Sequence, residues 1–100
     1  MPAVNRLTLD ATLLAREALR HTPAGIPALD CTLQHASVQQ EAGGERRVEC
    51  EIAAVAFADV AKALSETPVG NLLRCEGFVA RRYRTGTSLA LHITRFTASN

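Results

Sequence analysis

Tryptophan is absent from this 100-residue chain, tyrosine occurs once and phenylalanine three times. Four rings cannot carry a site built mainly on stacking, so charge has to supply most of any affinity for a polyanion. Lysine is nearly missing too: Lys62 stands alone, and the other ten basic residues are arginine. Cysteine occurs three times, as Cys31, Cys50 and Cys75, with no close Cys-x-x-Cys pair. That spacing argues against zinc and leaves reduced, buried, structural thiols as the expectation. No apolar run approaches the length that crosses a bilayer, and no basic segment ahead of a long apolar stretch marks a leader at Met1–Arg6. A cytoplasmic location is expected. Gly43-Gly44 is not followed by lysine and opens no helix, so a phosphate-cradling glycine loop is missing as well.

What is present suits one folded domain over residues 1–100. A hydrophobic content of 47% supports a single modest core. The net charge of +1 is unevenly spread. Residues 1–66 hold six basic and nine acidic side chains, a balance of −3, whereas residues 67–100 hold five arginines and one acid, a balance of +4. Arginine offers a planar fork for phosphate and a flat face for bases.

Period-two alternation dominates the chain. Leu7, Leu9, Ala11 and Leu13 oppose Arg6, Thr8, Asp10 and Thr12, which reads as a strand with one buried face. Arg16–His21 either continues that strand past a bulge or starts a short helix. Thr22–Pro27 holds two prolines and Gly25, the composition of a turn. A second strand follows, with Leu29, Cys31, Leu33 and His35 on one face. Gln39–Glu45 is expected to be a flexible polar loop. The third strand, Val48 to Phe57, places Val48, Cys50 and Ile52 inward and Glu49 and Glu51 outward. Val60, Ala61 and Leu64 fall at helical spacing, predicting one short helix that stops before Pro68. Leu72–Ala80 and Leu89–Phe96 then flank a polar segment containing Gly86, a β-hairpin. Phe57, Phe78 and Phe96 lie in or beside apolar runs and are expected in the core.

Five strands with one short helix between the third and fourth is the order of the five-stranded Greek-key barrel, the OB-fold, and the expected class is mostly β. The final hairpin carries the chemistry. Arg81, Arg82, Tyr83 and Arg84 put three cations around the only tyrosine, and Arg20, Arg46 and Arg47 are expected on the same side of the barrel. Basic groups with a flat ring suit single-stranded nucleic acid. Catalysis is poorly supported. His21, His35 and His92 fall on three different elements with no nucleophile or acid paired to them by motif, and Glu49 and Glu51 are explained by ion pairs to neighbouring arginines. No enzyme activity, cofactor or metal is expected.

Three segments also carry a family resemblance: Asn5-Arg6-Leu7-Thr8-Leu9, Pro23-Ala24-Gly25-Ile26-Pro27, and Leu33 to Gly43 with its His-x-Ser-Val-Gln-x-Glu-Ala-Gly string. Gly77-Phe78 and Leu91-His92 agree more weakly. Over nearly the whole length the chain resembles the PriB family of primosomal replication proteins. Asn-Arg-Leu and Thr-Pro-x-Gly are shared more broadly with bacterial single-stranded DNA-binding proteins, whose long acidic-tipped tail is not seen here. The resemblance implies a homodimer of OB-folds that binds single-stranded DNA and works with the PriA helicase and other primosome proteins when stalled replication forks restart. It implies a dimer axis at the first strand, at Leu7 and Leu9, and matches DNA-binding basic residues to Arg20 and the Arg81–Arg84 cluster. The final hairpin is about two residues shorter than is usual in that family. Glu49 stands where some relatives carry a stacking tryptophan, and Ala36 where they carry an arginine. Those two positions keep open a second reading, a dimeric OB-fold adaptor whose main surface meets protein, and RNA remains a third possible ligand.

Overall fold

The computed structural model describes residues 3–99; Met1 and Pro2, where the leader reading begins, lie outside them. Leucines at every second position build β1 (Leu7–Arg16), with Ala11 and Leu13 buried and Leu7 and Leu9 packed against the core edge. The ambiguous stretch after it forms no helix. β1 is irregular between Leu13 and Ala15, and Arg20–His21 returns as a two-residue strand, β2, against Pro27 and Ala28. Gly25, at φ 83°, closes the turn between them, and its N–H donates to the Thr22 carbonyl at 2.7 Å.

The two central strands are longer than the sequence suggests. β3 (Pro27–Glu41) and β4 (Gly44–Phe57) pair without interruption from Ala28↔Phe57 to Glu41↔Gly44. The loop expected over 39–45 is therefore corrected to a tight turn. Ala42 and Gly43 take φ of 54° and 79°, the left-handed geometry that closes a two-residue hairpin with the twist of its strands. Polar side chains there signal an exposed arm rather than a loop. Cys50 is corrected for the same reason. It sits opposite His35 on the part of the ladder that has left the barrel, where nothing covers it, and it is exposed; Cys31 and Cys75 are buried as expected.

After β4 the chain turns at Ala58, φ 58°, into α1 (Ala58–Ser65), which seats Ala61 and Leu64 under the barrel. Thr67 Oγ1 donates to the Ala63 carbonyl at 3.0 Å, and Pro68 follows. β5 (Leu72–Arg81) and β6 (Leu89–Ser99) form the closing hairpin. The sheet order is β1-β5-β6-β4-β3-β2, and the β1–β3 pairing closes it into a barrel of five long strands. All pairings are antiparallel except β4 with β6. The OB-fold with its helix between the third and fourth long strands is thus the observed architecture. Leu13, Leu29, Leu33, Leu73 and Leu91 fill its centre.

Candidate nucleic-acid interface

The last hairpin is paired from Leu72↔Ser99 to Arg81↔Leu89 and is locked at the top by the Arg82 N–H, which donates to the Ser88 carbonyl at 2.8 Å. Beyond that bond the loop is wholly exposed. Tyr83 keeps 60% of its surface accessible, so its ring stands in solvent rather than folded onto the barrel mouth. The Arg82 guanidinium carbon lies 5.3 Å from that ring's centroid, covering one face. Arg84 follows on the same loop.

Lower on the hairpin the register shifts between Glu76 and Gly77. Gly77 is required there because a Cβ would lie 1.8 Å from the His92 carbonyl oxygen. This close approach sets Phe78 against His92, with ring centroids 4.9 Å apart and planes at 16°. Phe57, from β4, continues the row on the other side of His92 at 6.1 Å and 31°. Three rings thus cross three neighbouring strands, and Phe57 and Phe78 remain 39% and 38% exposed. Both were expected in the core; they are on the outside. Strand parity carried the signal: Ala54 and Ala56, Leu73 and Cys75, and Leu91 and Ile93 are buried, so Phe57, Phe78 and His92 occupy the opposite face.

Beside this row a cleft of about 130 Å³ is lined by Arg20, Asp30, Phe57, Arg81, Arg82 and His92, among others. Arg20 reaches it from β2 and is held by Asp30, with Nε to Oδ2 at 2.8 Å and Nη2 to Oδ1 at 3.4 Å. That hydrogen-bonded carboxylate raises the guanidinium pKa further above its ordinary value. A neighbouring hollow is shared by Arg82, Glu51 and Leu89.

The sequence-selected arginines therefore separate. Arg20, Arg81 and Arg82 converge, while Tyr83 and Arg84 extend from the same hairpin. Arg47 lies out on the β3–β4 arm, on the outer face it shares with Glu49 and Glu51. Arg46, one residue away, points to the opposite face and pairs with Glu41 at 3.2 Å. Two further arginines are neutralised. Arg74 makes a two-point contact with Asp10 at 2.7 and 3.0 Å, which holds that carboxyl below its usual range, and Arg95 meets Glu76 at 2.7 Å. Among the described residues Arg6, Arg16, Arg47, Arg81, Arg82 and Arg84 take part in no salt bridge, and three of these six lie together on the last hairpin.

Leu7 and Leu9 turn inward against the core. From Leu7 to Ala11 the β1 backbone pairs with β5, while pairing with β3 begins only at Thr12. The opposite edge of this stretch is contacted by His35, whose Nδ1 lies 2.6 Å from the Asp10 carbonyl and whose Nε2 lies 2.8 Å from Ser37 Oγ. No three described His, Cys, Asp or Glu side chains converge in a way that could hold a metal ion.

Comparison with known proteins places these features in a family. A sequence profile described as "another single-strand binding protein family" matches residues 5–95. The replication restart protein PriB of Bordetella pertussis is 44% identical over 90 residues, covering 90% of this chain and 84% of that protein. The solved structure of PriB from Ralstonia solanacearum is 38% identical and superposes with a TM-score of 0.90, covering 98% of this chain and all of that one. The single-stranded DNA-binding protein of Thermus aquaticus is 23% identical with a TM-score of 0.77, over 97% of this chain and 50% of its own, a likeness of fold.

Proposed function

The chain belongs to the PriB family, within the single-strand binding proteins, and from that membership we propose that it binds single-stranded DNA during replication restart. The observation that carries this reading is the coincidence of unpaired cations with exposed rings. Arg81 and Arg82 stand beside the Phe57–His92–Phe78 row, and Arg20 reaches the same cleft. Phosphates meet the guanidinium groups and bases lie on the rings, the two elements that single strands require. Arg84 and Tyr83 extend the contact along the loop. Arg47 adds a distant phosphate contact, and Arg46 adds little because Glu41 already holds it. The protein acts as a cytoplasmic homodimer in which the edge of β1 around Leu7 and Leu9, which no strand of its own chain covers, meets its equivalent, and it assists the PriA helicase alongside other primosome proteins.

The test is fluorescence anisotropy of labelled oligo-dT with wild type, Phe78→Ala and Arg82→Ala. Loss of one stacking partner costs about 1–3 kcal/mol, so Phe78→Ala is expected to weaken binding by roughly 5- to 150-fold. A wild type that does not bind at low salt would sink the reading.

Glu49 and Glu51 favour a second reading, because they lie on the same outer face of the arm and repel phosphate. In it the protein is chiefly an adaptor that contacts other proteins. Arg82→Glu with Arg84→Glu separates the two: an adaptor keeps its helicase contact and its stimulation of the helicase after DNA binding is gone.

A further inference from the structure

One side chain stands at the base of the basic hairpin where a strand would be expected. The β1–β5 ladder runs from Thr12↔Leu72 to Leu7↔Gly77, and its register continues to residue 5 opposite residue 79. Residues 3–6 belong to no strand. The Asn5 carboxamide occupies the missing position instead. Its Nδ2 donates to the Val79 carbonyl at 2.7 Å, and the Val79 N–H donates to its Oδ1 at 2.9 Å. One planar amide thereby satisfies both backbone groups that Val79 presents on this edge, across 74 residues of sequence.

The location matters more than the bonds themselves. Gly77 is the last β5 residue paired with β1, and it adjoins the register shift toward β6. Above it, β5 has a strand neighbour on one side only. A two-stranded ribbon by itself is marginal in water. Phe78 immediately precedes Val79, and Arg81 and Arg82 follow it by two and three residues.

We propose that Asn5 is a positioning residue for the nucleic-acid site: its carboxamide clamps β5 at Val79 and so sets the direction in which the basic hairpin leaves the barrel. The proposal rests on the DNA reading above. The residue type follows from the geometry, since the position needs one donor and one acceptor at fixed separation. Aspartate accepts from the Val79 N–H but offers nothing to its carbonyl, and alanine offers neither.

The clamp is tested on the full chain with wild type, Asn5→Ala and Asn5→Asp. Amide hydrogen exchange at Val79 reads it without any ligand. Exchange is expected to accelerate by at least about tenfold in Asn5→Ala and by less in Asn5→Asp. Oligo-dT affinity in Asn5→Ala is expected to fall roughly 5- to 10-fold, while the thermal midpoint moves by only a few degrees. In a background already carrying Arg81→Ala and Arg82→Ala, the Asn5→Ala loss is expected to shrink well below its wild-type size, because much of it acts through those arginines. Unchanged Val79 exchange overturns the clamp. Unchanged affinity, or a loss that simply adds to the arginine substitutions, overturns the positioning role. A wild type that binds no oligo-dT overturns the DNA reading itself, and Val79 exchange distinguishes that failure from failure of the clamp.

Discussion

Replacing Arg81, Arg82 and Arg84 together by alanine gives the most quantitative test of the site. None of the three is in a salt bridge among the described residues, so each guanidinium is available to phosphate. On a single strand each neutralised phosphate contributes about 0.7 to the slope of log K against log salt concentration, so three lost contacts lower that slope by roughly 2. Between about 50 and about 200 mM salt, the wild type is then expected to lose about 16-fold more affinity than the variant. Removing Arg74 and Arg95 instead provides the control, because Asp10 and Glu76 already hold them. Anisotropy titrations of oligo-dT across a salt series read both slopes. If the triple variant keeps the wild-type slope, or if the Arg74/Arg95 variant falls as far, the hairpin is not where phosphate binds and the argument from unpaired charge fails.

Other expectations follow from single features. Limited trypsin digestion should cut first within Arg82–Ser88 and spare the arm around Gly43, whose ladder is paired up to the turn. Early cleavage at Arg46 or Arg47 would contradict that ladder. Gly77→Ala brings a Cβ into the His92 carbonyl, and denaturant unfolding should show a loss of about 3 kcal/mol; an unchanged midpoint would mean the two strands can part cheaply. Thiol labelling of the native protein near pH 8 should modify Cys50 alone, since burial raises Cys31 to about 12 and Cys75 to about 11. Because these folded values lie above the ordinary thiol value of 9.0, the buried thiols' contribution to stability is whole below that pH. It declines as pH rises from about 9 toward 12, which denaturation midpoints across that range would record.

The strands were legible because their leucines alternate. β1 and the first half of β3 carry Leu7, Leu9, Leu13, Leu29 and Leu33 at even spacing, and only an extended backbone puts them on one face. The hairpin loop was legible because an arginine-rich polar run with Gly86 can be neither core nor ladder. Two features are hidden in the sequence. The arm beyond Ala36 has no apolar face to keep, so its residues resemble a loop by composition although Ala42 and Gly43 turn the chain in two residues. Hydrophobicity alone assigns Phe57 and Phe78 to the core. Their position in the alternation puts them outside, and a wholly apolar run such as Ala53–Phe57 hides which face is which. The residues of the aromatic row were visible, but the assembly of three strands that aligns them was not.

The pairing of β1 with β5 also has a kinetic meaning. β3–β4 and β5–β6 each zip from their own turn, so their early contacts are local and cost little chain entropy. β1 must instead find β5 across most of the chain, and the Asn5–Val79 contact closes a span of 74 residues. Substitutions in the two hairpins are therefore expected to slow refolding, whereas Leu9→Ala mainly speeds unfolding; the opposite pattern in stopped-flow experiments would reverse the order. On this order the basic loop forms before the barrel closes and gains its direction only when the N-terminal strand arrives. A chain cut back past Asn5 is then expected to present the same arginines without a fixed direction.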